Sequence, residues 1–215
     1  MAAAPPGADG RRIDRAGTTP RAEWNFSCDP DAAAAVLDAF AGLPAARLPL
    51  VCPLDVTERL LLTPAHLRRC AELAGSEPAE VLSPTDPDRA RSRATNPLVR
   101  YLSDALRFAL EASHARGQGY VARPHDAFAA ALALHPGLAR ARLAMVDVEL
   151  DRGLLRGATA AHWRDRSGRT PTAAIVRDTD AAAFLDHLID RLGALVDDRG
   201  ARPAGQQARP GPETA

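Results

Sequence analysis

Apolar residues recur at helical spacing in several segments of the chain, and most of these segments open with a helix-starting signal. Asp29-Pro30, Thr63-Pro64 and Asn96-Pro97 each combine a capping residue with a proline that suits the first helical turn. An Ala-rich segment follows Pro124-His125-Asp126, and Ala181 to Leu195 is the last periodic segment. The pattern predicts a helix in each of these places.

Other segments between the helices have the pattern of strands. Leu48 to Val56 is an apolar run that predicts a buried strand, and Ala173 to Val176 predicts another. A further strand is predicted by the alternation of apolar and acidic residues through Val146, Asp147, Val148, Glu149 and Leu150. The polar stretch from Gly75 to Thr95 predicts a loop. Because strands and helices alternate, the expected fold class is α/β.

The charge balance narrows the range of partners. The chain of 215 residues has 27 basic and 27 acidic side chains and a formal net charge of zero, so it lacks the basic excess of a protein that binds nucleic acid. Every basic side chain is Arg and none is Lys. This excludes a phosphate-binding loop that needs its Lys and a catalytic Schiff base on a Lys amine.

The length of 215 residues predicts one domain. The cysteines, the apolar runs and the two ends of the chain limit its class further. Cys28, Cys52 and Cys70 lack C-x-x-C spacing, which indicates neither a zinc knuckle nor a disulfide framework. The sequence has no apolar run that could span a bilayer and no hydrophobic signal region, so we expect a cytoplasmic location and no membrane partner. The ends, residues 1–14 and 198–215, are predicted to be disordered or loop-like.

Two polar side chains stand ahead of the first predicted helix. Glu23 and Asn25 are separated by Trp24, and in an extended segment their side chains would point to the same side. A carboxylate and an amide that project together can hydrogen-bond the hydroxyls of a sugar. The alternative is a loop whose polar groups face water.

His125 and Asp126 form the second candidate pair. Asp126 stands at a predicted helix start, where a carboxylate complements the helix dipole, and capping is its ordinary explanation. The functional alternative is that Asp126 supplies an oxygen ligand to calcium, with His125 beside it as a proton donor. A single carboxylate does not make a calcium site.

Several short motifs follow one another along the chain in a set order. They are Gly17 to Phe26, Asp29 to Ala33, Pro53-Leu54-Asp55-Val56-Thr57, Pro124-His125-Asp126, Val146 to Leu150, Arg156-Gly157 and Arg169-Thr170-Pro171. In this order they resemble the inosine/uridine-preferring nucleoside hydrolase family, over roughly residues 15 to 195. The resemblance implies a domain over residues 15–197 with a Rossmann-like, three-layer α/β sheet and flanking helices.

The resemblance also implies a reaction and roles for the candidate residues. The reaction is hydrolysis of the N-glycosidic bond of a ribonucleoside to ribose and free nucleobase, through an oxocarbenium-like transition state. By resemblance, Glu23 and Asn25 bind the ribose of the nucleoside substrate, Asp126 binds Ca²⁺, and His125 is a catalytic acid near the leaving base. Asp55 matches a recurrent family position and is expected to be structural. A homo-oligomer is compatible with the resemblance, because family members are often dimers or tetramers.

One family motif does not occur in the chain. It is the D-x-D-x-G-x-D-D cluster, which in the family supplies the base and most of the calcium ligands. We therefore expect a truncated or mis-started member without the N-terminal strands, in which calcium binding is weak or absent. The alternatives are a catalytically inactive remnant that binds a sugar or a protein, and a split enzyme. Purine versus pyrimidine preference stays open.

Overall fold

The computed structural model of the chain describes residues 22–78, 81–86, 90–164 and 168–201. Gly17 to Arg21 of the first motif, the N-terminal segment 1–14 and residues 202–215 of the predicted tail lie outside the described residues. In chain order the helices and strands are α1 (Trp24–Cys28), α2 (Pro30–Ala39), β1 (Leu50–Val51), α3 (Leu54–Thr57), α4 (Pro64–Leu73), α5 (Pro97–Ala115), α6 (His125–Leu134), β2 (Ala139–Val148), β3 (Thr159–His162), β4 (Ala173–Thr179) and α7 (Ala181–Ala201).

The chain divides into two compact units. The first contains the residues up to Leu60 together with Arg123–Ala181, and the second contains Leu61–Ala122 and the residues from Ala182 onward. The sheet belongs to the first unit, whereas α4, α5 and nearly all of α7 belong to the second. The single domain over residues 15–197 stays a prediction. None of the helices in the described ranges is long and apolar enough to cross a membrane.

The first unit is built on a mixed sheet with the strand order β1-β4-β2-β3. β1 pairs with β4 in parallel, with Val51 opposite Ile175. β2 pairs antiparallel with β4 on one side and with β3 on the other. Helix α2 contacts β2, and α3 contacts β4. The predicted α/β class, with a sheet and flanking helices, is confirmed.

One face of the sheet packs against α2. Leu37 of α2 is buried with Ala144 and Val146 of β2 and with Ala173 and Ile175 of β4. The small alanine side chains leave room for Leu37 between the helix and the sheet, so the interior can pack without a void. Each fully buried side chain of this size contributes about 1.5–3 kcal/mol. This contact fixes α2, and α1 immediately before it, on the sheet.

The predicted helix starts are confirmed where a capping residue precedes proline. The Asp29 carboxylate accepts a hydrogen bond from the Ala32 N–H at 2.9 Å, and Asn96 Oδ1 accepts one from the Leu98 N–H at 2.9 Å. Thr63 forms a reciprocal capping box with His66 at the start of α4. Proline occupies the first turn of these helices, where its missing N–H is not needed.

The predicted strand over Leu48 to Val56 is much shorter in the structure, and its second half is a helix. Only Leu50–Val51 is a strand, and Leu54–Thr57 is the short helix α3. Pro53 explains the change, because it has no N–H for a sheet ladder and its ψ of 154° leads directly into the first turn of α3.

The other strand and helix boundaries differ less. β2 begins at Ala139, well before Val146. The sequence pattern does not show its first residues, because a register shift next to Arg140 and exposed arginines interrupt the alternation of apolar and polar side chains there. β3 has no counterpart in the sequence pattern, since a four-residue strand is too short to show a period. α7 continues past Leu195 to Ala201.

In the second unit, ion pairs and close packing hold α7 against α4. The Arg69 guanidinium donates to the carboxylates of both Asp186 and Asp190. A Cβ on Gly193 would lie 2.8 Å from Leu73 Cβ, so a glycine lets the two helices approach here. Exposed ion pairs contribute little to stability, and the apolar contact carries more of the energy.

Arg107 of α5 carries a buried charge. Its side chain is 8% exposed, and its Nη1 donates to Asp86 Oδ2 at 2.7 Å. The same carboxylate oxygen accepts a hydrogen bond from the Ser83 N–H at 2.9 Å. The bond from Ser83 and the guanidinium of Arg107 lower the pKa of Asp86. Asp86 therefore ties the segment 81–86 to α5.

Asp86→Asn should lower the free energy of unfolding by about 2–4 kcal/mol at neutral pH, because it leaves the Arg107 guanidinium buried without its counter-charge. Asp186→Asn is the matched control, since its pair with Arg69 is about half exposed and should cost less than about 1 kcal/mol. Urea titration measures both. The lowered pKa means that the advantage of wild type over Asp86→Asn is lost as the pH falls through the folded-state pKa of Asp86. Equal losses in the two variants would contradict the prediction.

Candidate functional site

Glu23 and Asn25 lie in direct contact at the start of α1. Glu23 is the residue before the helix, and its Oε2 accepts a hydrogen bond from the Phe26 N–H at 3.2 Å. Its Oε1 accepts one from Asn25 Nδ2, also at 3.2 Å. The segment is therefore not extended, because capping by the Glu23 carboxylate starts a helix there. The side chains nevertheless project together, as the sugar-binding hypothesis requires.

The contact leaves hydrogen-bonding capacity on both side chains. Asn25 is exposed and Glu23 is half-buried. Within the described part of the chain, the Asn25 amide has no hydrogen bond other than the one to Glu23. One amide N–H, the amide oxygen and the remaining carboxylate lone pairs can therefore bind a ligand's hydroxyl groups.

A mostly apolar cavity of about 370 Å³ lies beside Asn25. It is open to solvent, and its volume falls in the range of small-molecule sites. Besides Asn25, its walls come from α1, α2 and the start of β1, through Phe26, Ala33, Leu37, Pro49 and Val51. The polar pair thus stands at the edge of an apolar surface of the first unit.

His125 is held by a residue far away in the sequence. Its Nδ1 lies 2.8 Å from Thr57 Oγ1, and Thr57 is 2% exposed at the end of α3. Next to it, Arg123 Nε donates to the Glu58 carbonyl at 3.3 Å. These contacts set the start of α6 against α3, so the imidazole has a defined orientation. Thr57 was not singled out by the sequence, although it belongs to the motif Pro53 to Thr57.

Asp126 is exposed in the first turn of α6. Its carboxylate there complements the partial positive charge of the helix start. The structure places Asp126 and His125 in the first unit, as it does Glu23 and Asn25. The convergence of the two pairs in one cleft stays a prediction.

The described residues do not fit the calcium site that the resemblance implies. Among residues 22–78, 81–86, 90–164 and 168–201, no group of three or more His, Cys, Asp or Glu side chains is placed to hold a metal ion. Calcium takes six to eight oxygen ligands, and Asp126 alone supplies too few. No chemical step is therefore assigned to a metal here.

Asp55 is an unexpected feature in the first turn of α3. Its Oδ1 is buried and has no hydrogen-bond partner among the described residues. Burial raises the pKa of Asp55, and nearby Glu58 raises it further, whereas Arg177 and Arg59 oppose the shift. The structural role expected for Asp55 therefore carries an electrostatic cost, which the sequence does not reveal.

The family model and the curated relatives that match the chain all name nucleoside hydrolases. The family model described as inosine-uridine preferring nucleoside hydrolase matches residues 10–186. The pyrimidine-specific ribonucleoside hydrolase RihA of Escherichia coli O9:H4 is 30% identical over 176 residues, which cover 81% of this chain and 48% of that protein. RihA of Shewanella woodyi is 31% identical, over 81% of this chain and 47% of that protein. The chain spans about half the length of the curated relatives it matches.

Solved structures agree in fold. A purine-preferring ribonucleoside hydrolase from Gardnerella vaginalis aligns with a TM-score of 0.61 at 22% identity, over 83% of this chain and 48% of that one. The plant nucleoside hydrolase PpNRh1 also aligns with a TM-score of 0.61, at 21% identity, over 81% of this chain and 48% of that one. At these identities the likeness concerns the fold alone.

Asp55→Asn should raise the free energy of unfolding at neutral pH. Because burial raises the pKa of Asp55 in the folded state, folding favours the protonated acid. The stability that Asp55 contributes is fully present in acid, below the ordinary carboxyl pKa, and is lost as the pH rises through the raised pKa of the folded state. The neutral amide escapes that loss, so its gain should be largest near pH 7 and should vanish in acid. Denaturant titrations at a series of pH values measure this, and a less stable variant at pH 7 would refute it.

Proposed function

Because the chain belongs to the inosine-uridine preferring nucleoside hydrolase family, we propose that it binds a ribonucleoside by its ribose and acts in hydrolysis of the N-glycosidic bond. The products would be ribose and the free nucleobase. Relatives are named both pyrimidine-specific and purine-preferring, so the proposal is limited to the ribose. A cytoplasmic location and a homo-oligomeric state belong to the proposal on sequence grounds alone.

The contact between Glu23 and Asn25 carries the proposal. Their 3.2 Å hydrogen bond holds the Glu23 carboxylate beside the Asn25 amide, and Asn25 lines the cavity. Adjacent hydroxyls of a furanose can donate to the carboxylate while another accepts from the amide, which gives a sugar a fixed orientation. Holding the sugar in place contributes to rate by bringing the glycosidic bond into reacting geometry.

His125 is proposed as the acid that protonates the departing base. An imidazole exchanges protons near neutral pH, which suits this role. Its Nδ1 contact with Thr57 supports a fixed ring orientation, in which the opposite ring nitrogen points away from Thr57. Proton transfer to the base would help it leave as a neutral molecule while positive charge develops on the ribose.

The water-activating groups are not assigned to the described residues. Asp126 keeps its family-implied role as a calcium ligand within the proposal, but it lies in no group of three or more potential ligands there. This observation favours a second candidate function, which is binding of a sugar or nucleoside without turnover.

Ribose titration of the 215-residue chain tests the sugar site. Glu23→Gln should weaken ribose binding by roughly tenfold or more, because hydrogen bonds to a charged group contribute about 1.5–3 kcal/mol. Gln keeps one oxygen that can accept the Phe26 N–H, but its amide group replaces the oxygen that accepts from Asn25, so the change removes the charge together with that contact. Asn25→Ala should have a similar effect. Glu72→Gln, an exposed glutamate of α4, is the matched control and should leave binding unchanged. A wild-type chain without affinity for ribose would refute the proposal.

Turnover separates the two candidate functions. We expect the 215-residue chain to bind calcium weakly and to cleave inosine and uridine very slowly, because the sequence lacks the D-x-D-x-G-x-D-D cluster and most of the coordination shell would be water. Calorimetric titration with calcium and release of free base from both nucleosides measure this. Tight calcium binding with rapid turnover that His125→Ala abolishes would contradict the expectation and assign hydrolysis to this chain.

A further inference from the structure

The loop between β2 and β3 comes very close to the segment that carries Glu23 and Asn25. Gly157 in this loop has a φ of +81°, and an added Cβ would lie 3.1 Å from Ser27 Cα, 3.2 Å from Ala22 Cβ and 3.4 Å from Pro30 Cγ. Ala22 precedes Glu23, and Ser27 lies in α1 itself. The loop therefore packs against both ends of the short stretch that carries the proposed sugar-binding pair.

The loop is itself held in place by backbone hydrogen bonds. The Gly157 N–H donates to the Glu149 carbonyl at 2.8 Å, and the Glu149 N–H donates to the Ala158 carbonyl at 2.8 Å. Glu149 directly follows β2, and the pairing of β2 with β3 ends at Val148 and Thr159. Gly157 is thus hydrogen-bonded to the residue that follows the end of β2.

Arg156 connects the same loop to α2. Its guanidinium donates to the Leu150 carbonyl within the loop and, through Nη2, to Asp31 Oδ2 at 2.5 Å. The Arg156 side chain is 34% exposed and that of Asp31 is 68% exposed, so the bond lies at the surface and its effect is on the placement of the loop more than on stability. A planar guanidinium can satisfy both acceptors at once, which an ammonium on a flexible stem does less well.

Helix α1 reaches the core of the sheet through the partly buried side chain of Phe26. It contains five residues, none of them buried, and a helix of this length is not stable on its own. Its direction therefore depends on the residues packed around it. Gly157 packs directly against Ser27 of α1, and Arg156 holds the loop that carries Gly157 to Asp31 in the first turn of α2.

We infer that Arg156 and Gly157 are positioning residues for the Glu23–Asn25 pair, and that they set its orientation through α1 without touching the sugar. The inference rests on the proposed function for its ligand, which is a sugar. The position of α1 can be measured without any ligand, so the positioning role and the proposed function can fail separately.

Gly157→Ala compared with Gly42→Ala tests the inference. Gly42 has nearly the same φ, +78°, but nothing lies within 4 Å of its added Cβ, so it reports the backbone strain alone. The full chain is labelled with 5-fluorotryptophan, and its two resonances, from Trp24 in α1 and Trp163 after β3, are assigned with Trp24→Phe. Gly157→Ala should shift the Trp24 resonance and speed exchange of the Phe26 and Ser27 amides at least tenfold. Gly42→Ala should do neither.

D-ribose titration provides the functional readout. Gly157→Ala should weaken ribose binding by roughly tenfold or more, since small displacements of positioning groups have large effects, and Gly42→Ala should leave it unchanged. If wild type does not bind ribose, the proposed function fails, and the fluorine and exchange results still decide whether Gly157 positions α1. Equal Trp24 shifts and exchange rates in the two alanine variants would overturn the inference.

Arg156→Gln gives a second test that does not introduce a steric clash. The control is Arg152→Gln, an exposed arginine in the same loop. Arg156→Gln should shift the Trp24 resonance and weaken ribose binding in the same direction as Gly157→Ala, while the Trp163 resonance stays in place. An Arg156→Gln protein that matches Arg152→Gln in the Trp24 resonance and in amide exchange would show that Arg156 has no positioning role.

Discussion

Strand β4 hydrogen-bonds to a neighbour on each side, parallel to β1 and antiparallel to β2. Ala173, Ile175 and Val176 of this strand are all buried, so side chains on both of its faces lie in the interior. Ile175 and Ala173 receive Leu37 of α2 on one face, and α3 contacts the strand as well. The two candidate pairs depend on this arrangement, because α1 precedes α2 and His125 is bonded to the end of α3.

Arginine makes the polar connections in a chain that has no lysine. Arg69 bonds to two carboxylates, Arg156 bonds to a carbonyl and a carboxylate, and Arg107 is buried against Asp86. The planar guanidinium presents several donors in fixed directions, so one side chain can join two elements. Their contributions to stability differ, since exposed pairs are screened by water and the buried one is not.

The candidate side chains are held by contacts between residues that are distant in the sequence. Thr57 orients His125, and Gly157 packs against Ala22 and Ser27. Such contacts give short surface segments a defined position on a rigid sheet, which is what a binding site requires. Asp55 differs from these residues, because its Oδ1 is buried without a hydrogen-bond partner among the described residues and this costs stability.

The sequence by itself determined the helix starts that combine a capping residue with a proline, the α/β class and the family. Caps such as Asp29-Pro30 act within one helical turn, so local chemistry decides them. Motif order identified Glu23, Asn25, His125 and Asp126 as candidates, although the proximity of Glu23 and Asn25 comes from a capped helix and not from an extended segment. Tertiary structure alone decided that Thr57 meets His125, that Gly157 must lack a side chain, and that Asp55 Oδ1 is buried without a hydrogen-bond partner among the described residues. These depend on the packing of elements far apart in the chain, and no local pattern of residues records which surfaces will meet.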